Sequence, residues 1–286
     1  MYQLVNLSKI YNKQPVLSDL NLRFQKGRFV ALLGRNGSGK STLMRLLAQH
    51  EPFETGDILF QNQTLRSPRL QLAQQIAFIT EEMALPVAID LKTWGREFAR
   101  IHAAYDIDLF QSLAKQFEID LGKSLLDLSR GQKAKALFSL HAAKKPSIYI
   151  LDEITSVLDS GSRVTLMRFL EKERTRGCLI IMSTNIAGEL QGYATDVCFL
   201  EKGHIEFAAT AEEIPQHFLK IKASESEVQS LRLVEKGFRF IDKNADGSWT
   251  LIVRKKDLTT DYQAHVDRRA LTISELTTYF TSTVTA

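Results

Sequence analysis

The stretch FVALLGRNGSGKS, residues 29–41, limits most narrowly what this chain can fold into. Five apolar residues predict a buried strand, and the pattern G-x-x-x-x-G-K-S follows directly after them. Apolar residues at Leu43, Leu46 and Leu47 then indicate a helix. A strand, a glycine-rich turn and a helix in this order aim backbone N–H groups and the positive helix end at a phosphate. The stretch therefore predicts an α/β fold that binds a nucleotide.

Each residue type in this turn has a predicted task. The glycines allow the tight backbone path, the Lys40 ammonium reaches the β- and γ-phosphates, and the Ser41 hydroxyl binds Mg²⁺. A glycine-rich turn that matches the pattern by chance is the alternative, and the flanking strand and helix argue against it. The predicted phosphate-binding residues are Gly34, Asn36, Gly37, Ser38, Gly39, Lys40, Ser41 and Thr42.

Further short strand-like runs, some alternating and some apolar, predict the rest of an α/β core. They lie at residues 2–7, 16–24, 57–60, 76–79, 148–151, 178–182, 197–200 and 205–208. Several of these runs are almost wholly apolar, which is typical of parallel strands covered on both faces. Helical spacing between residues 85 and 145 predicts an insert of helices. It is carried by Trp94, Phe98 and Ile101, and by Leu109, Leu113 and Phe117.

The last 70 or so residues read as a separate, smaller α/β unit. Strands are predicted at residues 238–241 and 249–253, and a final helix at 274–280. Between these strands, DKNADG imitates the start of a calcium-binding loop, but Val253 stands where that loop needs a bidentate glutamate. We therefore predict a hairpin turn there. The predicted domains are residues 1–215, with a helical subdomain at about 82–145, and an accessory region at 216–286.

The composition of the chain excludes several classes of function. The chain has 286 residues, 44% of them hydrophobic and 24% charged, with a formal net charge of +4. No apolar run reaches the roughly 18 residues of a membrane span, and the N-terminus lacks the pattern of a signal peptide, so a cytoplasmic protein is expected. No dense basic tract is present, and no nucleic-acid partner is expected. Cys178 and Cys198 lie in apolar runs and are expected to be buried free thiols.

Two more motifs point to a family. LSRGQ at residues 128–132 is similar to the LSGGQ signature of the ATP-binding cassette (ABC) ATPases, with Arg130 in place of the central glycine. It precedes the strand SIYILDE at the spacing that family shows. The chain thus resembles ABC ATPases from Met1 to about Ala209. The resemblance implies a P-loop NTPase core of mixed sheet and flanking helices, a helical subdomain and a small α/β C-terminal extension.

The resemblance also implies roles for individual residues. Ser129, Gly131 and Gln132 would contact the ATP held by a second cassette, in a head-to-tail dimer around two ATP molecules. Asp152 would hold Mg²⁺, and Glu153 would polarise the attacking water as the general base. Asp159, in a segment that resembles the family's D-loop, would lie near the dimer seam, and Tyr11 would stack on adenine.

Two positions depart from the family pattern. Glu81 stands where the family usually has a glutamine that touches Mg²⁺; its carboxylate is a predicted Mg²⁺ ligand, but it adds a negative charge near the phosphates. Asn185 stands in place of the usual histidine; it can donate a hydrogen bond to the γ-phosphate but cannot carry a positive charge. Losing one charge-assisted contact costs roughly 1.5–3 kcal/mol. We therefore expect slow hydrolysis, and a nucleotide-dependent binding switch with weak or no activity is the competing interpretation.

The expected function is that of the ATP-hydrolysing subunit of a bacterial ABC transporter. The insert, with Tyr105 and Asp106, resembles those of ABC-2-type exporters. The expected partners are a second copy of this chain and separate transmembrane permease subunits, which would hold it on the inner face of the membrane. A soluble ABC protein acting on ribosomes or DNA is the alternative, but such relatives usually carry two cassettes or long coiled coils.

Overall fold

The structure is a computed structural model that describes residues 2–65, 70–80, 89–230, 232–233, 238–257, 266–267 and 269–281. The strands are β1 (Tyr2–Tyr11), β2 (Gln14–Phe24), β3 (Phe29–Leu33), β4 (Thr55–Phe60), β5 (Gln63–Thr64), β6 (Ile76–Thr80), β7 (Ile148–Asp152), β8 (Leu179–Ser183), β9 (Asp196–Glu201), β10 (His204–Thr210), β11 (Phe218–Ala223), β12 (Arg239–Lys243) and β13 (Trp249–Arg254). The helices are α1 (Lys40–Leu47), α2 (Leu70–Gln74), α3 (Leu91–Ile101), α4 (Ile107–Gln116), α5 (Arg130–Ala142), α6 (Ser160–Thr175), α7 (Ile214–His217), α8 (Glu225–Ser230) and α9 (Ile273–Thr281).

A six-stranded sheet forms the centre of the molecule, with the strand order β10-β9-β3-β8-β7-β6. The strands β6, β7, β8, β3 and β9 run parallel, and β10 pairs antiparallel with β9. Every residue of β3, β7 and β8 is buried, as predicted for strands covered on both faces. Their carboxyl ends share one edge of the sheet, and this is where a parallel sheet places ligands.

Alternate side chains of the central strand β3 enter two different cores. Phe29, Ala31 and Leu33 pack with the helical insert and α6, whereas Val30 and Leu32 pack with α1 and an antiparallel sheet of β2, β1, β4 and β5. This alternation is the period of two that extended backbone imposes. The strand that carries the glycine-rich turn is therefore fixed from both sides, and the turn itself is held at a defined place.

The helical insert consists of α3, α4 and α5, each of which begins at a capping side chain. The caps are Asp90, Asp106 and Ser129. The helices predicted from residue spacing are confirmed: Trp94, Phe98 and Ile101 lie on α3, Leu109 and Leu113 lie on α4, and Phe117 directly follows α4. Leu113 and Phe117 are buried, whereas Ile101 is 67% exposed. Ile101 is the last residue of α3, the backbone becomes extended at His102, and the described helices leave Ile101 uncovered.

The C-terminal residues form a second sheet, β11-β13-β12, with its own small core. The hairpin predicted at DKNADG is confirmed: β12 and β13 pair antiparallel, and Gly247 has a φ of 81°. Strand β11 was missed, although its sequence FLKIKA alternates apolar and charged residues. Because α9 shares the large core of the central sheet, the predicted division at residues 215 and 216 stays a prediction.

Candidate nucleotide-binding site

The glycine-rich turn between β3 and α1 needs its glycines for steric reasons. A Cβ at Gly34 would stand 2.1 Å from the carbonyl oxygen of Leu200, and φ there is 149°. A Cβ at Gly39 would stand 2.6 Å from a methyl group of Leu17, and φ is 106°. Such positive φ values disfavour any residue with a side chain. The neighbouring strands thus press against the turn and shape it.

A cavity of about 480 Å³ lies over this turn at the carboxyl edge of the sheet. Its lining residues are Val16, Asn36, Gly37, Gly39, Lys40, Ser41, Thr42, Arg45, Phe78, Thr80, Asp152 and Glu153. Eight of these are residues that the sequence predicted. Val16, Arg45, Phe78 and Thr80 were not predicted, because nothing local in their segments distinguishes them from core residues.

The Lys40 side chain is 5% exposed and lies along the turn. Its Nζ donates to the carbonyl oxygens of Gly34 at 2.9 Å and Arg35 at 3.2 Å. Burial lowers the pKa of Lys40, and the nearby carboxylates of Glu153 and Asp152 act in the opposite direction. The Lys40 ammonium is buried, and its hydrogen-bond partners are mainly backbone carbonyls. It can therefore give up these carbonyls and bind phosphate oxygens instead.

Asp152 and Glu153 follow one another at the end of β7, but they have different surroundings. Asp152 is 8% exposed and accepts a 2.6 Å hydrogen bond from Ser183 Oγ. The β7–β8 register places Asp152 directly beside Ser183. Glu153 is partly exposed and has a φ of 52°, a conformation that is unusual for a residue with a side chain and that ends the extended backbone of β7.

The Glu153 carboxylate is held by Asn185, from the loop after β8. Asn185 Nδ2 donates to Glu153 Oε2 at 2.8 Å, and the backbone N–H of Glu153 donates to Ser183 Oγ at 3.1 Å. Ser183 therefore binds both carboxylate-bearing residues. It was missed in the sequence, where it is only the last residue of the apolar run before Thr184.

The signature residues lie outside this cavity. Ser129 caps α5 in a capping box: its Oγ accepts from the N–H of Gln132, and the Gln132 side chain accepts from the N–H of Ser129. A Cβ at Gly131 would stand 2.5 Å from the carbonyl oxygen of Val157, so the glycine permits contact with the segment after β7. None of the three is among the cavity-lining residues.

Asp159 caps α6 and also lies outside the cavity. Its carboxylate accepts from the Ser162 side chain at 2.7 Å and from the Ser162 N–H at 2.8 Å, and Lys135 Nζ is 3.5 Å away. The hydrogen bonds from Ser162, joined by the Lys135 charge, lower the pKa of Asp159 to about 2. The carboxylate is thus ionised throughout the physiological range.

Tyr11, the predicted adenine contact, is not among the cavity-lining residues. Its hydroxyl donates to Glu51, and Lys9 Nζ stands 4.9 Å from its ring centroid. Glu51 in turn forms a 2.6 Å ion pair with Arg45, which does line the cavity. The tyrosine is therefore linked to the cavity wall through a charged pair.

The side-chain oxygen atoms in and beside the cavity fit a phosphate with a bound magnesium ion. The Ser41 hydroxyl and the Asp152 carboxylate both line the cavity, and Mg²⁺ characteristically takes one or two protein oxygens together with water and phosphate. The Ser38 hydroxyl is buried without a hydrogen-bond partner in the described part of the chain, inside the same turn. Glu81, the third predicted metal ligand, lies outside the described residues. Within those residues, no cluster of three or more His, Cys, Asp or Glu side chains could hold a metal by itself.

Comparison with known proteins gives consistent matches. The family described as ABC transporter matches residues 17–156. The ABC transporter ATP-binding protein YtrB of Bacillus subtilis (strain 168) is 26% identical over 259 residues, which are 90% of this chain and 88% of YtrB.

Solved structures match at the level of the fold. The structure of an ATP-binding subunit of an ABC transporter superposes with a TM-score of 0.70 at 24% identity, over 76% of this chain and 92% of that one. A dimeric structure of the cassette MJ0796 in a post-hydrolysis state, bound to ADP and Pi, gives 0.65 at 20% identity, over 73% of this chain and 98% of that one. Among the described helices, none has both the length and the apolar character that a membrane crossing requires.

Proposed function

This chain belongs to the ABC transporter ATPases, and on that premise we propose that it binds ATP with Mg²⁺, hydrolyses it, and drives separate membrane-spanning subunits. One observation carries the proposal: Lys40, Ser41, Asp152 and Glu153 line a single cavity at the carboxyl edge of the parallel sheet. These are the groups that phosphoryl transfer to water needs for phosphate, metal and nucleophile.

In the proposed mechanism, the turn and α1 hold the triphosphate. Backbone N–H groups of the turn and the positive end of α1 face the phosphate oxygens, and Lys40 exchanges its backbone carbonyl partners for them. Ser41 and Asp152 would hold the Mg²⁺ ion, which supplies charge neutralisation at the β- and γ-phosphates. Ser183 keeps the Asp152 carboxylate oriented for this task through its 2.6 Å hydrogen bond.

Glu153 is the proposed general base. Its carboxylate would accept a proton from the water that attacks the γ-phosphate, and the amide of Asn185 restricts its rotation. An amide has two N–H donors, so one remains for the γ-phosphate while the other binds Glu153. Neither can supply a positive charge or a transferable proton, and we therefore propose slow turnover.

A second copy of the chain would complete the site. Ser129, Gly131 and Gln132 lie outside the cavity of their own chain, at the start of α5. In a head-to-tail homodimer they would close over the γ-phosphate bound by the partner, and α5 would present its positive end to it. The MJ0796 cassette, which shares the fold, is dimeric, and this supports the pairing of two copies.

We further propose that the partner in the membrane belongs to an exporter. The likeness of the insert, with Tyr105 and Asp106, to ABC-2-type exporters supports this choice. Dimer closure on ATP and reopening after hydrolysis would move the insert and with it the permease. Co-purification of the chain with a protein that has about six apolar 20-residue segments would support this partner, and its absence from membranes would argue for a soluble ABC protein.

The second candidate is a binding switch with little or no turnover, which the neutral Asn185 beside Glu153 favours. Phosphate release by the purified chain, measured beside a Glu153→Gln variant, separates the two. A wild-type rate at least about 100-fold above that of the variant supports hydrolysis with Glu153 as base. Equal rates, with ATP still bound by both proteins, would defeat that assignment and leave the switch.

A further inference from the structure

The loop that carries Asn185 continues into a short 3-10 turn, Ala187–Leu190, which is anchored on two sides. Ala187 and Leu190 are buried in the large core, 8% and 0% exposed. Asn185 itself is exposed and only two residues upstream. The position of its amide therefore depends on how firmly this turn is held.

The C-terminal helix α9 holds one side of the turn. Ile273 and Leu276 of α9 belong to the same core cluster as Ala187 and Leu190. The N–H of Ile273 donates to Gln191 Oε1 at 2.8 Å, directly after the turn.

The turn and α9 also approach closely at Gly188. A Cβ at this glycine would stand 3.2 Å from Ser274 Oγ, tighter than an ordinary contact. The turn and α9 therefore lie against each other at this point.

The opposite side of α9 is tied to the accessory sheet. Glu275 of α9 forms a 2.7 Å ion pair with Lys220 of β11, whose side chain is 7% exposed. Arg239 of β12 donates to the carbonyl oxygen of Tyr279 at 2.6 Å. The helix therefore connects the accessory sheet to the turn behind Asn185, and a displacement of the sheet would be passed to that turn.

The other side of the turn is tied to the segment after β7. Glu189 pairs with Arg163 at 2.7 Å, and Arg163 Nε donates to the carbonyl oxygens of Thr155 and Leu158. The turn thus lies between α9 and the segment that follows Glu153. The turn is therefore joined to the chain on both sides of the Asn185–Glu153 pair: directly after Asn185 and, through Arg163, shortly after Glu153.

We propose that α9 positions Asn185 against Glu153 through the turn Ala187–Leu190, which makes the accessory region a regulatory input to ATP turnover. Gln191 is the positioning residue of this coupling, and it acts through Asn185 without touching the nucleotide. The expected effect on the rate rests on the proposed hydrolysis. The positioning of Asn185 by α9 does not depend on hydrolysis. A partner that displaced the accessory sheet would loosen the turn and slow the chemical step, with ATP affinity unchanged.

The first test measures amide hydrogen exchange in the full-length chain with MgATP, for wild type, Gln191→Ala and Thr278→Ala. Thr278 lies on α9, and within the part of the chain that the structure describes its hydroxyl donates only to Ser274 O of the same helix, so its variant is the matched control. Residues 184–190 are expected to exchange roughly 3- to 10-fold faster in Gln191→Ala and at the wild-type rate in Thr278→Ala. Unchanged exchange in Gln191→Ala would overturn the coupling.

The second test is a kinetic cycle with Asn185→Ala. Gln191→Ala is expected to lower kcat about 3- to 10-fold and to leave the KM for ATP unaltered. In the Asn185→Ala background, the same change is expected to have no further effect. An equal loss in both backgrounds would show that Gln191 does not act through Asn185 and would overturn the proposal. If wild type does not exceed Glu153→Gln in rate, hydrolysis itself fails, and the exchange measurement still decides on the coupling.

Discussion

Asn185 Nδ2 donates a 2.8 Å hydrogen bond to Glu153 Oε2, so a neutral amide holds the carboxylate proposed as the general base. The two residues are 32 positions apart in the chain and follow the ends of neighbouring parallel strands. The amide restricts the carboxylate without adding charge beside it. In the proposed mechanism it would therefore orient the base but do little to stabilise the negative charge that develops on the transferred phosphoryl group.

Replacing Asn185 by histidine should accelerate turnover. An imidazolium would keep the contact with Glu153 and add a charge-assisted bond to the γ-phosphate, for an expected rise in kcat of roughly 10-fold. The rate of phosphate release at saturating ATP measures it. Asn185→Ala, which removes both contacts, is the control and should be slower than wild type. If Asn185→His released phosphate no faster than Asn185→Ala, the proposal that the neutral Asn185 slows turnover would be wrong.

The close contact at Gly34 predicts that alanine variants at two glycines of the same turn differ in stability. Gly34→Ala places a Cβ 2.1 Å from a fixed carbonyl oxygen, whereas Gly37→Ala, at a φ of 78°, meets nothing within 4 Å. Gly37→Ala should cost about 1–2 kcal/mol through its backbone conformation alone, and Gly34→Ala distinctly more. The midpoints of thermal unfolding compare them. Equal midpoints would mean that the contact with Leu200 relaxes freely.

The proposed head-to-tail homodimer predicts complementation between two defective chains. A chain with Lys40→Ala lacks the lysine that is proposed to bind the phosphates of ATP. A chain with Ser129→Arg carries a bulky side chain in its LSRGQ segment, which should not close over the ATP bound by the partner. In a mixed dimer, one composite site combines an intact Lys40 with an intact Ser129, so the mixture should regain about a quarter of wild-type turnover. Each variant alone is the control and should be nearly inactive. No recovery after subunit exchange would argue against composite sites.

The role of Asp159 as the N-cap of α6 predicts that wild type and Asp159→Asn differ in stability by an amount that depends on pH. Hydrogen bonds from Ser162 lower the pKa of Asp159 to about 2, below the value of about 3.9 in an unfolded chain. A carboxylate with a depressed pKa stabilises the fold at pH values above its unfolded pKa, and this contribution is lost as the pH falls through the folded pKa. Asp159→Asn, which keeps a capping oxygen, should therefore be less stable than wild type above pH 4. The difference should vanish between about pH 4 and pH 2. Thermal midpoints across this range test it, and a constant difference would rule out the charge as its source.

Local patterns were sufficient for the segments in which neighbours along the chain determine the conformation. The strand, turn and helix around Lys40, the strand that ends in Asp152, and the hairpin at Gly247 could all be predicted. In each case a short run of residue types restricts the backbone, through apolar periodicity or through the positive φ that glycine permits. The burial of the central parallel strands followed from their continuous apolar character for the same reason.

Contacts between distant segments could not be read from the sequence. The pairing of Asp152 with Ser183 depends on the register of β7 against β8, and the exposure of Ile101 depends on which helix lies beside α3. The anchoring of the turn after Asn185 depends on α9, which begins more than 80 residues later at Ile273 and bonds Gln191. Such contacts arise from packing that many sequences would satisfy, so no local pattern encodes them. In this chain they decide which of the predicted groups meet in one cavity and which, like Ser129, lie outside it.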